Sequence, residues 1–187
     1  SELKRIPDST VEAIYWQLRP GPEADLRSVI ASLSRKAGIV SADVADELCL
    51  DWEGIARLAD DPLVTIGAHT MTHPMLAKHP VDVMEAEMAG SRDAIGQRLG
   101  LVPRHFAYPV GDPGSAGPRE FEAARRLGFA SAVTTRPGMV FNEHADHLAA
   151  LPRVSLNGRY QRRRYVDALV SGVPFMLWNR GQRLNVG

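Results

Sequence analysis

The sequence predicts an α/β protein built on a parallel sheet, and three observations predict it. Apolar residues recur at helical spacing in several segments, short β-branched or aromatic runs alternate with helices after residue 60, and glycine or proline marks most junctions. Strands separated by helices pair in parallel through right-handed crossovers, so functional residues belong at the C-terminal ends of the strands.

Four helices come first. Ser9-Thr10-Val11-Glu12 has the capping-box pattern, and Val11, Ile14, Tyr15 and Leu18 fall on one helix face before Pro20-Gly21-Pro22 stops it. Glu23 to Ala37 repeats the rhythm with Leu26, Val29, Ile30 and Leu33, and Gly38 is the expected left-handed terminator. Ser41 and Asp51 read as caps of two shorter helices, the second carrying Trp52, Ile55 and Leu58 before the Asp60-Asp61-Pro62 turn. Leu63 to Gly67 then reads as the first strand, followed by a histidine-bearing loop and a helix from Val81 to Leu99 ended by Gly100.

His105 to Tyr108 is the second strand, Pro109 to Gly117 a loop, and Pro118 the first residue of a helix ended by Gly128. Phe129 to Thr134 and Val154 to Leu156 complete four expected strands, with Asn157-Gly158 a turn and Tyr160 to Val170 a last helix before an apolar tail holding Phe175, Leu177 and Trp178. Residues 1–187 read as one domain: a helical region at 1–60, a motif-bearing β/α region at 61–158, and a C-terminal helix and tail at 159–187.

Composition narrows the function. With 44% hydrophobic residues the chain can bury a sizeable core, and Lys plus Arg equals Asp plus Glu at 22 each, so no global field directs it to nucleic acid. The Arg162-Arg163-Arg164 run is a solvated helix face. No apolar run reaches bilayer-spanning length, so membrane insertion is not expected, and no basic-then-apolar leader opens Ser1-Glu2-Leu3-Lys4. The lone Cys49, inside Glu47-Leu48-Cys49-Leu50, reads as a small core residue.

The chemistry concentrates in Gly67-Ala68-His69-Thr70-Met71-Thr72-His73-Pro74. Two imidazoles four residues apart after a strand can face one ion if the backbone bends, and Pro74 keeps His73 out of the helical region. A structural role for the pair is the competing reading, since the chain has six His.

Order and wording resemble the polysaccharide deacetylases from roughly Leu50 to Gly158. Ile66 to Pro74 matches the family's His-Ser/Thr-x-x-His motif, Leu50-Asp51-Trp52-Glu53 and Asp61-Pro62-Leu63-Val64 fit bacterial members, Phe106-Ala107-Tyr108-Pro109-Val110-Gly111 looks like the third motif, and Leu151-Pro152-Arg153-Val154 like a late strand. The resemblance implies a partial or distorted (β/α) barrel with extra N-terminal helices. It also implies metal-dependent removal of an acetyl group from a glycan. His69 and His73 would hold a divalent metal, most simply zinc, and the Val110 backbone N–H would serve as oxyanion donor. Tyr108 and Pro109 are the expected substrate contacts, with Trp16, Trp52 and Trp178 assigned to packing.

The chain also departs from the pattern. The Asp-Asp motif that supplies base and metal ligand has no match before His69, since Asp60-Asp61 follows helical sequence and precedes Pro62; the orienting Arg of the third motif is replaced by Ala107. The late His motif that supplies the acid has no clean match, leaving His147 and His144 as candidates. The expectation is therefore a C-terminal portion of a deacetylase, inactive alone, with exposed strand edges that favour self-association. A non-catalytic carbohydrate-binding relative is the alternative.

Overall fold

The sheet forms where β-branched and aromatic residues meet alternating burial. In the computed structural model, which describes residues 8–156, 158 and 161–186, strand β2 (Ser131–Pro137) alternates half-buried and buried positions along its length. It lies between β1 (His105–Ala107) and β3 (Leu151–Arg153), giving the order β1-β2-β3 with both pairings parallel. His105 stands opposite Ser131, Phe106 opposite Ala132, and Ala107 opposite Val133. The α/β architecture with a parallel sheet is thus the one expected.

The chain divides into two compact units, Ser1–Arg57 and Leu58–Gly187, where the sequence reads as one domain. The first holds α1 (Asp8–Leu18), α2 (Glu23–Ala37), α3 (Ser41–Leu48) and most of α4 (Trp52–Ala59). Their starts and stops follow local chemistry. Asp51 Oδ1 accepts the Gly54 N–H at 2.7 Å, the expected N-cap. Gly38 ends α2 in the left-handed conformation at φ 67°. Ser41, expected as a cap, is instead the first helical residue, with Val40 in the cap position. The apolar stripes do not read out as burial: Val11, Ile14, Ile30 and Leu33 are exposed, Leu26 is buried, and Cys49 is exposed rather than core.

In the second unit, α5 (Val81–Leu99) and α6 (Pro118–Arg126) pack on the sheet, and α7 (Arg163–Val170) and α8 (Val173–Trp178) follow it. Helix α5 turns Met84, Met88 and Ser91 inward at the i, i+4, i+7 spacing of one face. The α6 helix begins with Pro118, as expected, and the Glu120 carboxylate reaches back to the Gly117 N–H at 2.8 Å. An aromatic cluster fills the centre: Phe106 sits 5.2 Å from Tyr108 and 5.1 Å from Phe129, and Tyr108 5.4 Å from Phe121, between ring centres. Arg136, also buried, is tied to the carbonyls of Ala116 and Asn185 and lies over the Phe121 ring; burial lowers its pKa.

Two strands differ from expectation. Leu63 to Gly67 is not a strand: Leu63 is 93% exposed, and pairing starts just after the segment, at a parallel bridge between Ala68 and Phe106. The last strand is Leu151–Arg153 rather than Val154 to Leu156. Pro152 has no N–H to give a ladder, and it sits at the end of the strand order where none is needed on the open side. Trp16, Trp52 and Trp178 are exposed, which excludes core packing and leaves the other expected use, covering unpaired strands, as an expectation. The opening Ser1–Lys4, Asn157 of the expected turn and Tyr160 at the expected start of the last helix lie outside the described residues.

Tyr108 carries a prediction. Its hydroxyl donates to Ala149 O at 2.8 Å, and its pKa is raised above the ordinary tyrosine value, chiefly by burial and then by the nearby Glu120 carboxylate. Tyr108→Phe leaves the Ala149 carbonyl without this donor and costs about 1–3 kcal/mol at neutral pH. Because the folded pKa is the higher one, the native tyrosine contributes stability below the unfolded value of about 10 and loses it as pH rises beyond. Thermal unfolding at pH 9 and pH 11 should therefore show a smaller alkaline drop for Tyr108→Phe than for the parent.

Candidate metal and acyl-transfer site

The histidine loop hangs from the sheet by two backbone bonds. Ala68 N–H donates to His105 O at 2.8 Å and Ala107 N–H to Ala68 O at 2.9 Å, so the residue after the bridge, His69, emerges beside the C-terminal end of β1. There His69 Nδ1 lies 2.7 Å from Ala107 O. A carbonyl can only accept, so Nδ1 donates here, and in the neutral ring Nε2 is the nitrogen with the lone pair. Metal-binding histidines are oriented by this kind of outer bond.

The loop then doubles back. Thr70 takes φ 63° and His73 φ 58°, both left-handed. The residue before Pro74 is therefore outside the right-handed helical region, as expected, though in the left-handed basin and not the extended one that proline favours. The Thr70 hydroxyl donates to His69 O and accepts the His73 N–H at 3.1 Å. This turn brings the two rings to 4.9 Å between centres, 74° between planes. Two imidazoles bound to one tetrahedral ion have ring centres about 5 Å apart, the separation found here. Among the described residues no His, Cys, Asp or Glu joins them as a third donor.

A residue that sequence reading missed secures the loop. Glu87 of α5 accepts the N–H groups of Met71 and Thr72 on one carboxylate oxygen, at 2.9 and 2.8 Å, and the Thr72 hydroxyl on the other at 2.8 Å. Its position 14 residues beyond His73, on a helix, gave no local motif to find.

The loop after β1 is equally constrained. Val110 has φ 63°, and Gly111 N–H donates to Pro109 O at 2.7 Å, closing a strained γ-turn around a β-branched residue. Thr135 of β2 clamps it from behind: its hydroxyl donates to Val110 O at 2.7 Å and its N–H to Gly111 O at 2.9 Å. A Cβ on Gly111 would stand 2.8 Å from Thr135 N, and its φ is 72°, so this position requires glycine twice over. Among the described residues no group accepts from the Val110 N–H. The described non-glycine residues at positive φ are Thr70, His73, Val110 and Arg180, and the first three lie in these two loops.

Other expected site residues sit elsewhere. Tyr108 is 2% exposed with its hydroxyl committed to Ala149, and Pro109 is fully buried, so neither offers a face to a sugar. That corrects their assignment as substrate contacts: an aromatic with one satisfied polar tip serves the core here. His147 is half-buried at a kink, φ −130° and ψ 35°, inside the 3-10 run Asn142–Ala150. His144, in the same run, is buried with Nδ1 accepting the Phe141 N–H at 3.1 Å. A cavity of about 450 Å3 lies apart from the histidines, between Met139, Phe141, Val173 and Met176.

Comparison with known proteins gives the family and the fold. The polysaccharide deacetylase family model matches residues 27–132, more than half of the chain and reaching back into α2. No curated protein matches. The Streptococcus pyogenes deacetylase PplD, solved in complex with acetate, gives a TM-score of 0.57 at 23% identity, over 66% of this chain and 51% of its own. A polysaccharide deacetylase from Bacillus cereus gives 0.55 at 21% identity over 65% of this chain and 37% of its own. IcaB from Ammonifex degensii gives 0.52 at 23% over 65% and 52%. At these identities the likeness is one of fold, and the chain spans about half, or less, of the length of these structures. The family match over most of the chain, together with that shared fold, shows that this chain belongs to the polysaccharide deacetylase family.

Proposed function

We propose that the protein to which these residues belong removes acetyl groups from an acetylated polysaccharide or oligosaccharide, with His69 and His73 as two ligands of a divalent metal, most simply zinc. The observation that carries this reading is the paired imidazoles, 4.9 Å apart, with His69 locked in one tautomer by Ala107 O. A divalent ion held there supplies Lewis acidity and lowers the pKa of a bound water towards neutrality.

The chain's own residues do the rest. The Pro109 carbonyl is engaged by Gly111 N–H, which fixes the plane of the peptide that carries the Val110 N–H on its opposite side. That N–H is the proposed donor to the oxyanion that develops as the acetyl carbon becomes tetrahedral, and a donor fixed beforehand needs no reorganisation during the reaction. His147 is the proposed proton donor to the leaving group. The base and the carboxylate ligand are proposed to come from outside residues 1–187, so that these residues alone release no acetate.

Two measurements test the reading. The 187-residue chain should bind one equivalent of Zn2+ by isothermal titration, and His69→Ala/His73→Ala should abolish it; an unchanged stoichiometry in the double variant rules the pair out. The full product of the open reading frame containing these residues should release acetate from acetylated chitooligosaccharides, and His69→Ala in that protein should lower the rate at least about 100-fold. Glycan binding with no acetate release would mark a non-catalytic carbohydrate-binding relative instead. Turnover by residues 1–187 alone would show that the base lies within them.

A further inference from the structure

The histidine loop holds a conformation that its own sequence does not favour. Thr70 and His73 are both non-glycine residues at positive φ, a conformation that persists only where surrounding contacts over-determine it. Between them, Met71 and Thr72 point two backbone N–H groups the same way, and α5 presents Glu87 to both. From this geometry we infer that Glu87 is the positioning residue of the metal-binding pair: its carboxylate sets the turn that brings His69 and His73 to one ion. The inference rests on the reading of those histidines as metal ligands.

Three features support it. All three hydrogen bonds run to a carboxylate, the stronger charge-assisted kind, and they span both of its oxygens. Glu87 cannot wander, because Met84 and Met88 on the same helix are fully buried and fix the α5 backbone against the core. A second contact of the same helix with the same loop comes at Gly90, where an added Cβ would meet the Met71 side chain at 3.1 Å. Glu87 is not itself the missing carboxylate ligand. Its oxygens are taken up by the loop, and it forms no three-donor group with the histidines among the described residues.

The consequence is a division of labour between two anchors. Ala107 O fixes the ring of His69, while Glu87 fixes the backbone that carries His73 back towards it. Loss of the first disturbs one ligand; loss of the second disturbs the distance between the two. Outer groups that orient metal ligands typically change affinity 10–100-fold when removed, and Glu87 belongs in that range.

The test is zinc titration of the full 187-residue chain, read beside circular dichroism and amide hydrogen exchange. Glu87→Ala should weaken Zn2+ binding about 10–100-fold, leave helical content at the parent level, and speed exchange at the Met71 and Thr72 amides. Glu87→Gln keeps one acceptor oxygen and should recover part of the affinity. Parent-like zinc affinity in a folded Glu87→Ala overturns the inference while leaving the histidine pair standing. Absence of zinc binding both in the parent chain and in the full product of the open reading frame removes the metal reading itself. If Glu87→Ala fails to fold, Glu87→Gln decides: parent-like affinity with unchanged amide exchange counts against the positioning role, and weakened affinity in a folded chain counts for it.

Discussion

The site depends on a single residue of parallel pairing. Ala68 joins β1 by two backbone hydrogen bonds, and that register decides which side chain meets the Ala107 carbonyl. Side chains alternate along an extended segment, so a slip of one residue would turn His69 away and offer Thr70 in its place. So short a contact is secure because β1 is itself held along its length by β2, and because Phe106, opposite Ala68, is anchored in the aromatic cluster with Tyr108 and Phe129.

From that anchor the histidine loop and the Val110 loop are built in opposite ways. The histidine loop is polar and pinned from outside by a helix, through the Glu87 carboxylate. The Val110 loop is pinned from beneath by the neighbouring strand, through Thr135. Both hold positive φ at residues that normally avoid it. Tyr108 and Arg136 then support the loops from the core without reaching solvent, which explains why the third-motif tyrosine is a packing residue with its hydroxyl satisfied by Ala149.

Much of this was legible in the residues. Helix limits followed from signals whose physics is local: Gly38 and Gly100 supply left-handed stops, Asp51 caps its helix, and Pro118 opens another. The His69 and His73 pair was legible because its spacing and flanking proline survive in one short word. Glu87 and Thr135 were not, since what makes them matter is a contact created by the fold, 15 and 25 residues away from its partner. Leu63 to Gly67 misled because its β-branched run carries strand propensity, yet pairing beyond Ala68 does not form. Tyr108 misled for a related reason: the motif fixes its place in the chain, and only packing decides whether its ring faces sugar or core.

On the proposed reading the two imidazoles share one ion. A crystal of the chain soaked in zinc and measured at the zinc absorption edge tests it directly. One strong anomalous peak is expected, about 2.0–2.1 Å from His69 Nε2 and from a ring nitrogen of His73. A peak bound elsewhere, or rings that accept no ion while His69 stays hydrogen-bonded to Ala107, would contradict it.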